Sequence, residues 1–505
     1  MNTVETGLEI RQSINRYFFW GILLLTLIVG LAMIFLRIID GDEGFYLSAA
    51  TSLAQGADPY IDFFFPQMPG VPIFLAPFTG NGWTTLFLAR AFGFICHLIL
   101  ALLLYNYSKS IFNNRKLNLS LLFLAALSGP LLAWNSLAKP YPLSNLFFFT
   151  SFVVLTLSIK QRKINYLMIF LTFAFLALAI NIRAIFLVFA PLYFFLLYFY
   201  FRSIKVVRFP YYLLTVFLGL VLPSLYAIRL LFISPDNFLF NNFGFHLLRA
   251  EDIALGRILL LKLTVLGKLL IQPHYLIPVV MSFWSLFIVN SRSHRYDYNA
   301  WHRMVFQLAM VVSAFIFVVY MIPHPVHVQY FNQTLPFLII ASIPALKVIL
   351  EKTASVKALL AAVYLLGIVM YPALYVLDIR DKYIDYKIPQ AKRVTEAIRH
   401  NSSPDDPVLS EWVAYNVLSQ RDQPVGGEFV GHEYLFSSPI VPHSKYNLLS
   451  NERINDLLRQ EVPKLVVIKY SPIETWKTEL DKNYKVMVKI NNIFIYERKN
   501  TVEEN

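Results

Sequence analysis

Long apolar stretches separated by short polar ones recur through the first three quarters of the chain. Each is about as long as a helix must be to cross a bilayer core of ~30 Å. They lie near residues 17–39, 84–107, 118–136, 143–159, 164–182, 184–201, 210–233, 275–290, 304–322, 331–350 and 358–377, about eleven in all. In lipid a backbone has to satisfy its own polar groups, so runs of this length fold as α-helices. The composition agrees, with 57% apolar and 15% charged residues against roughly half and a quarter in soluble proteins. The first run is too long for a signal peptide and lacks the small-residue cleavage site, so it is expected to remain as a helix. One cysteine, Cys96, rules out a disulfide within the chain.

The formal charge of +13 would fit a nucleic-acid partner if it were evenly spread. It is not: residues 378–505 hold 18 basic and 19 acidic side chains, so the whole excess sits in residues 1–377. Short basic loops between spans explain it through the positive-inside rule, and no nucleic acid is expected. The loops around Lys109–Lys116, Lys160–Lys163, Arg202–Arg208, Arg292–Arg303 and Lys347–Lys357 alternate along the chain, as does the Arg11/Arg16 end. These faces are expected to be cytoplasmic. The loop 40–83 holds five acids and no Lys or Arg, and is placed outside. An even alternation requires residues 258–271, with Lys262 and Lys268, to lie as an amphipathic segment on the outer interface rather than cross.

From Asp378 the texture changes. Ile388–His400 and 451–460 have helical spacing, 407–410 and Lys464–Lys469 read as strands, and Tyr484–Arg498 reads as a hairpin turning at Asn491-Asn492. The expected architecture is a polytopic α-helical membrane domain, 1–377, followed by an extracytoplasmic α/β domain, 378–505, large enough for its own core. The N-terminus would be cytoplasmic.

Candidate chemistry gathers on the outer side. Asp40-Gly41-Asp42-Glu43-Gly44-Phe45-Tyr46 follows the first span directly, and Tyr46, Ala49, Ala50 and Leu53 continue it at helical spacing. Asp42 as a helix cap with Glu43 as a first-turn acid is one reading. A general base held at the membrane surface, where partial desolvation tunes a carboxyl, is the other. Five prolines then constrain a loop too aromatic to be a simple connector. Nine basic residues lie on the outer half, Arg37, Arg90, Lys139, Arg183, Arg229, Arg249, Arg257, Lys262 and Lys268, with Arg90 and Arg229 inside spans and Arg183 in a tight join; as a set they face the acidic loop and suit a lipid phosphate. Singly, each is as readily a side chain snorkelling to headgroups. Pro323–Tyr330 supplies His324, His327 and Tyr330, which suit substrate contact better than metal, because flanking prolines break the helix and too few ligands are near. Nucleotide-loop, dinucleotide, nucleophile-elbow and zincin motifs are absent, and no cofactor is expected.

The first span, the acidic D-x-D-E-G-x-Y of Asp40–Tyr46, A-x-x-L-A-x-G (Ala50–Gly56), P-Y-x-D (Pro59, Tyr60, Asp62) and a Pro-rich stretch together resemble the first outer loop of GT-C glycosyltransferases. The likeness is to the protein O-mannosyltransferase and lipid A aminoarabinose transferase branch. The resemblance implies an inverting enzyme of the cell envelope, in a bacterial inner membrane. It would use a polyprenyl-phosphate sugar donor and a lipid, glycan or protein acceptor on the outer face. By position, Asp42, paired with Glu43, would deprotonate the acceptor hydroxyl. Tyr46, Asp58, Tyr60, Asp62, Arg90, Lys139, Arg183, Lys262, Lys268, His324, His327 and Tyr330 would line the substrate site, and no metal would be required. Two features depart from the family pattern: the 134–141 loop has no second carboxylate, and Phe65–Gly70 replaces a K-P-P segment. A polysaccharide polymerase or ligase, or a transporter of lipid-linked sugar, is the alternative. An inverted repeat would favour the transporter, and none is visible.

Overall fold

The computed structural model describes residues 2–248, 255–291, 298–323, 325–378, 384–424, 426–427, 443–469 and 474–499. The expected His324, Arg249, Arg292 and Arg295 lie outside the described residues.

Among the described residues, eight helices are long and apolar enough to cross a bilayer: Asn15–Phe35, Trp83–Ile111, Tyr141–Lys160, Ala184–Ser203, Phe209–Ile233, Pro273–Asn290, Ala300–Met321 and Ala354–Tyr375. Two more crossings are possible as bent pairs, Arg115–Ala126 with Gly129–Asn135 at 50° and Val328–Ala341 with Ile343–Leu350 at 55°. Each bend sits where a proline, Pro130 or Pro344, opens the second helix and removes a backbone donor from the ladder. The count is therefore eight to ten rather than the eleven expected. The shortfall is Tyr166–Ile182, an apolar helix of 17 residues, which at about 1.5 Å per residue is short of the bilayer core. Leu255–Leu270 is a helix with leucines exposed along it, including Leu259, Leu260 and Leu263.

Several buried amides and hydroxyls inside the bundle pair with one another. Asn145 Nδ2 donates to Asn135 Oδ1 at 3.0 Å and Asn332 Oδ1 at 2.7 Å, and Asn135 contacts His97 at 3.4 Å. Gln333 bonds Ser144 and Tyr320. Such pairing is what a low-dielectric interior demands of buried amides. It fixes the bent 129–135 segment against the helix opening at Tyr141 and the 328–334 turn.

Near the C-terminus four strands form one sheet in the order β1 (Val408–Ser410), β2 (Leu465–Lys469), β4 (Ile493–Arg498), β3 (Tyr484–Ile490). β1 and β2 are parallel, while β2–β4 and β3–β4 are antiparallel. The expected helices and strands all form, with Asn491 in the left-handed region at the hairpin turn (φ 53°). The Glu474–Asn483 helix was not foreseen.

This sheet packs onto the loop that follows the first span. Leu465, Val467 and Ile495 share one apolar cluster with Leu47, Ala50 and Tyr60. Trp412 Nε1 donates to Gly41 O at 2.9 Å, and Asn447 Nδ2 to Ile61 O at 2.7 Å. Gly44 is the tightest point of the contact, since a Cβ there would lie 2.5 Å from the Ala414 backbone.

Candidate functional site

The Glu43–Ala54 helix begins as the acidic segment suggested, but its two leading carboxylates face different surroundings. Asp42 occupies the N-cap position without a side-chain cap bond. Glu43 Oε2 accepts the Asp40 N–H at 2.9 Å, which ties the loop before the helix to its first residue. Glu43 is completely buried and grips Arg90, also buried, through Nε–Oε1 at 2.8 Å and Nη2–Oε2 at 2.6 Å. The remaining Arg90 donors go to the carbonyls of Ile34, Arg37 and Ile38. All five guanidinium N–H groups are used, and Glu43 Oε1 also accepts the Ala138 N–H at 3.1 Å. This bidentate pair fastens the end of the first span, the acidic loop, the Trp83–Ile111 helix and the 136–140 turn to one another. Neither residue has a polar group left for substrate.

Asp40 and Asp42 turn to Lys139 instead. Its ammonium is 2.7 Å from Asp40 Oδ1 and 2.7 Å from Asp42 Oδ2. The Lys139 side chain is nearly buried, whereas that of Asp42 is 63% exposed. Burial pushes the Asp40 carboxyl up, but Lys139 and Arg37 outweigh it and hold the group below its usual range. Burial alone would lower Lys139; the two aspartates reverse that and keep it charged well beyond the ordinary lysine range.

Beside Asp40 opens a cavity of about 390 Å³ lined by Arg37, Trp134, Gln272, His327, Tyr375 and Tyr386, among others. Arg37 is fully buried, lies over the Trp134 and Tyr375 rings at 5.0 and 4.3 Å, and leaves its Nε without a partner among the described residues. On the side of Tyr141, Arg183 is held among the rings of Tyr141, Tyr320 and Tyr330 at 5.0–5.3 Å. One of its terminal nitrogens is buried without a hydrogen-bond partner among the described residues. Cations stacked on aromatics in this way stay partly desolvated and available to an anion. Tyr46 is buried, and its hydroxyl feels both Asp42 and Lys139.

The structure thus brings together Asp42, Tyr46, Lys139, Arg183 and Tyr330, with His327 on the cavity wall. It does not bring the other candidates there. Asp58 is bound by Tyr226 at 2.8 Å and by Arg229 at 2.9 Å, and its N–H is capped by Asp62. Tyr60 is buried with φ 71° and donates to Gln67 O at 2.6 Å, a turn-forming role. Lys262 donates to Ile322 O at 3.0 Å, and Lys268 is exposed on the same Leu255–Leu270 helix. Arg37 stood among the outer basic residues but not among those expected to bind the phosphate, and Trp134 and Tyr375 were not among the candidates. The signal for Arg37 was present, an arginine at the outer end of an apolar span, but the rings that hold it come from distant segments. Among the described residues no group of three or more His, Cys, Asp or Glu side chains is placed to hold a metal ion.

No protein-family model matches the sequence, and no curated protein matches it either. Solved structures do match. ArnT from Cupriavidus metallidurans bound to undecaprenyl phosphate superposes with a TM-score of 0.64 at 13% identity, over 96% of this chain and 98% of that one. The apo state of the same protein gives 0.63 at 13% identity, over 94% and 96%. The archaeal oligosaccharyltransferase AglB from Archaeoglobus fulgidus, in complex with an inhibitory peptide and a dolichol-phosphate, gives 0.46 at 12% identity, over 97% and 75%. End to end, from the first span to the C-terminal sheet, this integral-membrane chain shares the fold of that ArnT structure.

Proposed function

We propose that the protein is an inverting glycosyltransferase that moves a sugar from a polyprenyl-phosphate donor to a hydroxyl of a lipid, glycan or protein acceptor at the outer face of the membrane. The observation that carries this reading is Lys139, shared by Asp40 and Asp42 and set beside Arg183. The solved neighbour with undecaprenyl phosphate bound supports the choice of lipid.

In the proposed reaction Asp42 takes the proton of the acceptor hydroxyl as its oxygen attacks C1 of the sugar. The C1–O bond to phosphate breaks, and polyprenyl phosphate leaves with the electron pair. The donor is a phosphodiester with one negative charge, and charge grows on its bridging oxygen as the bond breaks. Lys139, Arg183 and Arg37 supply three positive charges against the two of Asp40 and Asp42, leaving one to meet the donor. Cations fixed where charge develops lower the barrier directly. Asp40, held low by Lys139 and Arg37, serves to orient the lysine. Glu43 and Arg90 are assigned to positioning.

Purified protein in detergent, given radiolabelled polyprenyl-phosphate sugars in the presence of EDTA, tests the reading. Label is expected to pass to an acceptor or to water with the wild type and not with Asp42→Asn. Full activity of Asp42→Asn, or loss of wild-type activity on adding EDTA, counts against it.

A further inference from the structure

A second cavity, of about 410 Å³, lies beyond the far end of the same helix, between it, the 80–85 turn and the segment 416–423. Ser52 is ten residues from Asp42, about 15 Å along a helix, so this cavity is separate from the one beside Asp40. Its size falls among small-ligand sites.

Its walls carry hydrogen-bonding groups with nothing to bond. Asn416 is 3% exposed; its Nδ2 donates to the carbonyls of Val408 and Asp422, and its buried Oδ1 has no partner among the described residues. Thr85 is 1% exposed; its Oγ1 accepts the Asn81 N–H, and no described group takes its hydroxyl proton. Ser48 and Ser52, half-buried on the helix, have hydroxyls that no described residue engages. A buried acceptor such as Asn416 Oδ1 is costly to leave unmet, so a wall of this kind marks a place where water or a ligand completes the bonds.

The same walls exclude most ligand classes. Arg421 reaches the cavity, but its five N–H groups are spent on Ser402, Ser419, Gln420 and Arg399, so no cation is free for a phosphate. Among the described lining residues there is no aromatic ring to stack a base, Val417 is the one aliphatic side chain, too little for an acyl chain, and the exposed Asp422 carboxylate further disfavours an anion. Donors and acceptors are mixed, which matches hydroxyl groups, each of which both donates and accepts.

We propose that this cavity is a saccharide site that holds a neutral sugar ring. Resting on the function proposed above, we assign that ring to the acceptor, at a distance from the hydroxyl that reacts. Binding remote from the reacting centre lends orientation to the reaction.

Ligand-observed NMR on the full chain, in a detergent without a sugar headgroup, tests the site with maltotriose, mannotriose and N-acetylchitotriose. At least one is expected to bind saturably. Ser52→Tyr, which fills the cavity from its lip, is expected to weaken that binding at least tenfold, and Thr85→Val, nearly isosteric, to weaken it severalfold. Asp42→Asn is expected to bind as the wild type does. No binding of any trisaccharide to the wild type, which would make the cavity a water pocket, overturns the proposal. So does wild-type binding by both Ser52→Tyr and Thr85→Val, or preference for a phosphorylated trisaccharide over its neutral form. Because the readout is binding without turnover, a failure of the transferase reading leaves this result interpretable.

Discussion

Asp42 and Glu43 are neighbours in sequence and opposites in environment. Glu43 and Arg90 exclude solvent entirely and satisfy each other and the surrounding backbone, while Asp42 and Lys139 meet at the surface with more than half of the Asp42 side chain in solvent. A sealed pair of this kind contributes rigidity and register rather than net free energy, because desolvation offsets most of its Coulomb attraction. An open pair keeps its partners exchangeable, so an incoming phosphate is able to draw Lys139 away. The difference teaches that one charged dipeptide holds both the frame of the site and its reactive group, and that burial sorts them.

The sharpest test of that division is to neutralise each carboxylate without changing its shape. Asp42→Asn is expected to lower transfer by about 10²- to 10⁴-fold, the usual worth of a general base, with the melting temperature in detergent unchanged. Glu43→Gln is expected to do the reverse in kind. It leaves the Arg90 charge buried and uncompensated, at a cost of about 3–5 kcal/mol, seen as a large fall in melting temperature and yield. Activity should be lost only in proportion to folded protein. Glu43→Gln combined with Arg90→Met should regain much of the stability. If Glu43→Gln melts as the wild type does and loses turnover, the roles of the two carboxylates are exchanged.

Much of the fold was legible because hydropathy and turn chemistry are local. The spans follow from run length, the β3–β4 turn from Asn491-Asn492, and the helix at Glu43 from the spacing of Tyr46, Ala49, Ala50 and Leu53. The helix Glu474–Asn483 escaped because ETWKTELDKN buries little beyond Trp476 and Leu480, too few positions for a period to show. The site was legible only as an inventory. That Glu43 is sealed depends on Arg90, 47 residues away, and that Asp40 is occupied depends on Lys139, 99 residues away. Sequence spacing carries no record of such pairings. For the same reason Asp58, Asp62, Lys262 and Lys268 were grouped with Asp42 although the fold separates them.

A smaller effect probes how the C-terminal sheet is seated on the site. Gly44→Ala forces a Cβ against the Ala414 backbone, an overpacking that costs roughly 1–3 kcal/mol. The expected outcome is increased proteolysis between the membrane helices and the sheet, with transfer reduced because the Trp412 bond to Gly41 O no longer steadies the acidic loop. Gly44→Ala behaving as the wild type in both assays would mean that the sheet and the loop are seated independently.

The smallest effect contrasts two exposed ends of the charge network. Asp58 pairs with Arg229, whose side chain is 49% exposed, so Asp58→Asn should cost no more than about 1 kcal/mol and leave transfer unchanged. Asp40 differs, because Lys139 and Arg37 together hold its carboxyl below the ordinary range despite burial. A carboxyl lowered in the folded state stabilises it above the unfolded value, and that contribution is lost as pH falls through the folded value. The melting temperature of the wild type should therefore fall more steeply than that of Asp40→Asn as pH drops below about 4, the ordinary aspartate value. Parallel slopes for the wild type and Asp40→Asn would mean that Lys139 and Arg37 do not hold the Asp40 carboxyl low in the folded protein.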